Sequence, residues 1–202
     1  TAEAIRETDA KLVFLVGIAF GLLPAKQQLG DVLVAKRHAE RGTYLVTGGL
    51  GGLGLLLAEH LAKSVRARLV LVARGRIPSR PEWQSFIASH GSTDPTSQKL
   101  RKLIELEALG AELLIESGDV ADIVRMREIV AHAVERFGEI HGVFHVAGAI
   151  DDAPIQTKTQ SQIEAVFSPK VHGTLVLDEL LPNVELFALF SSSSSALGAA
   201  GQ

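Results

Sequence analysis

The chain has 202 residues, 47% of them apolar, a formal net charge of −3 and no cysteine. That is enough chain for one domain of ordinary size with a sizeable core. It excludes disulfides and thiolate metal sites, permits a reducing compartment, and offers no basic, aromatic-rich patch for nucleic acid.

Residues 1–10 read as a polar helix end. The most apolar run, Leu12 to Leu23, is too short to span a bilayer comfortably and contains two glycines. Glu3, Glu7 and Asp9 precede it, where a signal peptide would carry positive charge. The expectation is therefore no membrane span and a cytoplasmic protein. Leu12 to Val16 is either a buried strand or a continued helix, and periodicity does not choose between them. Pro24 marks a break, Val32-Leu33-Val34 is a short strand candidate, and Glu40-Arg41-Gly42 is a turn. Residues 1–42 read as the remnant of something preceding the regular part of the chain.

From Thr43 the pattern becomes regular. The predicted order is a strand Thr43–Val46, a helix from about Leu53 to Ser64, and a near-continuously apolar strand Arg68–Ala73. A long connection, Arg74 to Thr96, rich in Pro, Ser and Gly, follows. Ser97 is taken to cap a helix with apolar positions Leu100, Leu103, Ile104, Leu106 and Leu109 and a stop at Gly110. Then come a strand Glu112–Ile115, a helix Ile123–Phe137 and a strand Gly142–Val146. A long helix starts near Ser161 and reaches Leu180, with Pro169 expected to end or kink it. A strand Glu185–Phe190 leads into a Ser-Ala-Gly tail, Ser191 to Gln202. Strands alternating with helices predict an α/β, Rossmann-type doubly wound parallel sheet, with ligands at the carboxyl ends of the strands.

Three features fall at those ends. The first is the turn Thr47-Gly48-Gly49-Leu50-Gly51-Gly52-Leu53-Gly54, between strand and helix. Glycines let its backbone approach a phosphate at the positive end of a helix, so a dinucleotide is expected there. The second is Arg74, twenty residues after Gly54, with Arg76 close by and no Asp or Glu from Arg66 to Arg80. A carboxylate here would hold the 2′-hydroxyl of NADH; a guanidinium suits the 2′-phosphate, so NADPH is predicted. The third is Ala147-Gly148-Ala149. His145 just before it reads as a buried, satisfied histidine, His141 as a loop residue and His132 as surface. No His/Asp/Glu cluster has ligand spacing, so no metal is expected.

Taken together, Thr47–Gly54, Leu69-Val70-Leu71-Val72-Ala73-Arg74, Gly118-Asp119-Val120-Ala121-Asp122 and His141-Gly142-Val143-Phe144-His145-Val146-Ala147-Gly148 resemble the ketoreductase domains of modular polyketide synthases. These are members of the short-chain dehydrogenase/reductase superfamily. Lys170-Val171-His172-Gly173-Thr174 and Phe190-Ser191-Ser192, then Gly198 to Gln202, extend the likeness in order over about residues 43–202. The resemblance implies that 43–202 is the NADPH-binding part of such a domain and 1–42 the end of a preceding structural subdomain or linker. It implies Asp119 and Val120 beside the adenine and Ala147-Gly148 along the ribose. It also implies Lys170 and Ser192 as catalytic members of a Ser-Tyr-Lys-Asn set. The resemblance places the tyrosine and asparagine of that set just after Gln202; the only tyrosine present, Tyr44, lies in the first regular strand and cannot replace it.

Ile150-Asp151-Asp152 stands where ketoreductases of the B type, which give the R hydroxyl, usually carry Leu-Asp-Asp. The tryptophan of the opposite type would fall near Leu197 and is absent. Asp152 is accordingly assigned to stereocontrol. The implied reaction is NADPH-dependent reduction of a β-ketoacyl thioester on an acyl carrier protein, beside neighbouring domains of a multidomain synthase. The alternatives are a non-catalytic NADPH-binding or structural domain of the same fold, and a free-standing reductase. The long Arg74–Ser97 connection and the first 42 residues argue against the free-standing form. If the sheet is incomplete at its C-terminal end, strand Glu185–Phe190, or whichever strand would pair with the missing part, is expected to keep an exposed edge.

Overall fold

The structure, a computed structural model, describes residues 13–18 and 41–192. Strands rich in branched apolar residues and separated by helices cannot pair through hairpins, so they line up in parallel. Six strands form one parallel sheet: β1 Val13–Ile18, β2 Thr43–Thr47, β3 Arg68–Ala73, β4 Glu112–Ser117, β5 Gly142–His145 and β6 Leu186–Ser192. Their order is β1-β6-β5-β2-β3-β4. The described helices are α1 Gly52–Val65, α2 Trp83–His90, α3 Pro95–Ala108, α4 Ile123–Phe137, α5 Gln160–Phe167 and α6 Gly173–Leu180.

Side chains alternate across each strand, and both faces of the sheet are covered. Tyr44, Val46, Leu69 and Leu71 pack with Leu57 and Leu61 of α1 and Leu100 and Leu103 of α3. Leu45, Val70, Val72 and Val143 pack on the other face with Met126 and Ile129 of α4 and Leu177 of α6. This is the predicted Rossmann-type doubly wound fold. From β2 the chain moves outward to β3 on one side, while β5 lies on the other. The loops after β2 and β5 therefore diverge and leave a crevice at their carboxyl ends.

β3 and α4 have the predicted bounds. Four local expectations are sharpened or corrected. The connection after Arg74 is not featureless: a 3₁₀ turn, Arg80–Glu82, leads into α2. Ser79 and Glu82 form a capping box there, and Trp83 is buried with its indole N–H on the Pro78 carbonyl at 2.9 Å. α3 is capped by Asp94 rather than Ser97; the Asp94 carboxylate accepts from the Ser97 N–H at 2.6 Å, and Pro95 takes the first helical position. At Pro169 the long helix is interrupted as expected; the finer form is two helices, α5 and α6, joined by a π-helical turn, Ser168–His172. Proline has no N–H to give the ladder, and the turn widens to accommodate it.

The fourth correction concerns the sheet edge. β6 pairs with β5 on one side and with β1 on the other, Val13 opposite Phe187 through Ile18 opposite Ser192. The outer strands are β1 and β4, so β6 has no free edge. Of the two readings left open for Leu12 to Val16, the strand is the one adopted. The polar helix end at 1–10, the strand candidate Val32–Val34 and the tail from residue 193 lie outside the described residues. No described helix is long and apolar enough to cross a membrane.

Candidate active site

The glycine turn occupies the crevice mouth above β2. Gly48 has φ +67°, a left-handed conformation that penalises any residue with a Cβ, and a Cβ there would meet the Ala147 nitrogen at 2.9 Å. A Cβ on Gly54 would collide with the Gly48 carbonyl oxygen, so this glycine lets α1 start directly against the turn. Gly52 differs: nothing lies within 4 Å of where its Cβ would be. Packing does not require a glycine there; a side chain would instead fill the space in front of the helix. No side chain caps α1, and its first turn holds no acidic residue. An uncapped helix N-terminus with a bare approach suits a phosphate.

The cleft beside this turn measures about 340 Å³. Thr47, Gly48, Gly51, Gly52, Leu53, Gly54, Arg74, Asp119, Val120, Ala147 and Gly148 all line it, as do Val72, Ala73, Gly118, Val146 and Pro169. Two candidates lie off it. Leu50 is buried in the core, and Gly49 is held against β3 by its N–H on the Val72 carbonyl, 3.1 Å. The guanidinium of Arg74 is exposed and engages no described residue. Asp119 closes a local turn by accepting from the Ala121 N–H at 2.9 Å. Asp122 caps α4, and Arg125 ties α4 back to β4 through the Ser117 carbonyl, 2.9 Å, and Glu116, 2.6 Å. These bonds fix the loop that carries Asp119 and Val120 into the cleft.

Lys170 sits on the π turn, half-buried. Its ammonium donates to the Phe190 carbonyl of β6 at 2.8 Å. Burial holds its pKa below the ordinary lysine range. A Cβ on Gly148 would come within 3.0 Å of the Lys170 side chain, so the Ala147-Gly148 turn and Lys170 are in contact range. Ser192 ends β6, two residues after Phe190; its side chain is outside the described residues. Asp152 is exposed on the loop after β5. Tyr44 is 2% exposed, inside β2 with its ring beside Phe144, and cannot reach the cleft.

His145 is the residue whose part the sequence did not disclose. It is 1% exposed, and both its ring nitrogens are engaged. Nε2 donates to the Pro169 carbonyl at 2.8 Å, which can only accept; Nδ1 is therefore the acceptor of the Thr47 hydroxyl at 2.7 Å. Thr47 Oγ1 in turn accepts from the Ala147 N–H at 3.2 Å. One neutral imidazole thus ties together the glycine turn, the Ala147 turn and the π turn of Lys170. Burial, and secondly the Lys170 ammonium, push its pKa down to about 4. Its histidine type next to Ala147-Gly148 gave the burial; the partners, 98 and 24 residues away, were not visible.

The family model described as the KR domain matches residues 42–202. The chain belongs to the KR domain family. KR domains are oxidoreductases of the short-chain dehydrogenase/reductase type and bind a nicotinamide cofactor. The chain is 40% identical over 159 residues to polyketide synthase PksM of Bacillus subtilis, covering 78% of this chain and 3% of that one. It is 37% identical over 164 residues to the phthioceranic/hydroxyphthioceranic acid synthase of Mycobacterium tuberculosis, 80% of this chain and 7% of that one. Among solved structures, an N-terminal ketoreductase from the macrolactin assembly line aligns with a TM-score of 0.68 at 39% identity. That match covers 82% of this chain and 31% of the other. A ketoreductase domain from the bacillaene assembly line gives 0.68 at 34%, covering 84% and 38%. The chain thus spans a small part of the synthases and roughly a third of the solved ketoreductases. Its cleft fits the family's cofactor by the bare α1 terminus and the unengaged Arg74.

Proposed function

We propose that the chain forms the cofactor half of an NADPH-dependent β-ketoacyl reductase acting in polyketide assembly on a thioester carried by an acyl carrier protein. In this reading residues 43–202 are the cofactor-binding part. Residues 1–42 end a preceding subdomain or linker, of which β1 joins the sheet. The relatives' names support a setting among neighbouring synthase domains; the cytoplasm is the compartment this reading assigns. Lys170, placed between the Ala147-Gly148 turn and the end of β6, is the observation that carries the catalytic reading.

NADPH, when bound, supplies the hydride. The α1 terminus and Thr47–Gly54 turn hold its phosphates, Arg74 the 2′-phosphate, Asp119 and Val120 the adenine, and Ala147-Gly148 the ribose. The Lys170 ammonium, held half out of water, stabilises negative charge on a proton donor beside it and lowers that donor's pKa. The Ser192 hydroxyl donates to the oxygen that becomes an alkoxide. With Tyr44 locked in β2, the proton itself comes from outside the described residues. Asp152, with Ile150 and Asp151, favours the R alcohol. An A-type ketoreductase structure is also 33% identical to this chain, so overall likeness does not choose the hand; residues 150–152 and Leu197 carry that assignment.

The test is turnover of a β-ketoacyl thioester by the complete polypeptide carrying this chain, with the product resolved on a chiral column. NADPH should be consumed and the R alcohol formed. Lys170→Met should lower kcat by about 10²–10⁴-fold, the usual worth of assisted proton transfer. NADPH binding without any consumption would favour the non-catalytic reading, and an S alcohol would overturn the B-type assignment.

A further inference from the structure

The loop between β5 and α5 is fastened at one point that the reaction itself does not require. Gln162 is the third residue of α5, and its side-chain oxygen accepts from the N–H and the hydroxyl of the N-cap residue Thr159, at 2.9 and 3.0 Å. Because a backbone N–H can only donate, the amide orientation is settled, and the Gln162 Nε2 points the other way. It donates to Asp151 Oδ1 at 3.2 Å. Asp151 is half-buried, while Asp152 beside it is exposed. The Gln162 bond therefore falls on the less exposed of the two paired acids. α5 runs straight into the π turn that carries Lys170.

Glutamate serves the capping box as well as glutamine does. At this position, however, it would set a second carboxylate against Asp151. Only the amide can accept from the helix cap and donate to the loop together. We propose that Gln162 is a positioning residue that, through Asp151, fixes the Ile150–Asp152 segment relative to Lys170 and so sustains the enantiomer ratio of the product. This rests on the ketoreduction reading above.

The test compares Gln162→Glu with the double variant Gln162→Glu/Asp151→Asn, in which an asparagine amide donates to the new carboxylate and the bond is restored with its direction reversed. The single variant should lower the R:S ratio about tenfold, the scale of one hydrogen bond to a charged group. It should also speed amide hydrogen exchange over residues 150–158 while α5 exchanges as before. The double variant should return both readouts close to wild type. An unchanged ratio in Gln162→Glu, or a double variant no better than the single, overturns the proposal. The exchange measurement needs no turnover, so the anchor can be judged even where the wild-type protein gives the S alcohol and the stereochemical reading fails by itself.

Discussion

His145 concentrates three constraints in one side chain. Its two ring nitrogens hold a hydroxyl and a carbonyl, and burial keeps the imidazole neutral, accepting from the first and donating to the second. A second proton would land on Nδ1, facing the Thr47 hydroxyl, in a nearly dry site with the Lys170 ammonium nearby. The folded pKa, about 4, lies below the ordinary 6.5. The unfolded chain therefore binds this proton first, and the stability that the neutral ring contributes is present above pH 6.5 and lost as pH falls toward 4. Fully developed, the loss is about 3 kcal/mol, at 1.36 kcal/mol per unit. Urea midpoints measured from pH 7 to 4.5 should drop more steeply in wild type than in His145→Asn, which cannot titrate there. Parallel slopes would refute the assignment. Carboxylates contribute equally to both proteins, so the difference isolates the imidazole.

At the scale of elements, the approach of α6 to the loop after β4 is set by one small residue. Gly173 opens α6 with an ordinary helical backbone, φ −60°, so an alanine would fit its conformation. Its Cβ would nevertheless meet Val120 Cγ1 at 2.6 Å. Val120 lines the cleft, so the clash has to be relieved by moving α6 or the loop after β4. Gly173→Ala is expected to cost about 1–3 kcal/mol of unfolding free energy, the range for overpacking, and to weaken NADPH binding. Val120→Ala in the same chain should restore much of the stability; no rescue would place the cost elsewhere. Elements of this kind were legible in the sequence to very different degrees. β3 and α4 declared themselves because their apolar patterns are long and meet one continuous core. α2 did not, since eight residues burying Trp83 and Ile87 leave too short a pattern among prolines, serines and glycines. The Asp94 cap was legible in principle, as a capping residue directly before a first-turn proline, whereas the partnership of β1 with β6 joins segments that no local pattern connects.

Over the whole molecule, the candidate cofactor site lies where the sheet changes direction, and its parts come from strands distant in sequence. The backbone half of the candidate site was readable in that a glycine turn between strand and helix predicts a bare helix terminus, and most of Thr47–Gly54 does line the cleft. The side-chain half was readable only as far as residue type allows: Arg74 by charge, Lys170 by likeness. The bonds of Lys170 to Phe190 and of His145 to Thr47 depend on tertiary closure. A ligand bridging β2, β3, β4 and β5 should stabilise the sheet as a unit. NADPH at a hundred times its dissociation constant is expected to add about 2.7 kcal/mol. That is a rise of roughly 5–10 °C in Tm for a domain of this size. In the proposed reading, an Arg74 contact to the 2′-phosphate should be worth about ten- to a hundredfold in affinity. NADH at the same concentration should then add only about 0.4–1.4 kcal/mol. In Arg74→Ala the NADPH shift should fall to the NADH value while the NADH shift stays put. Equal shifts from the two cofactors in the wild-type protein would mean that Arg74 does not read the 2′-phosphate, whatever else binds in the cleft.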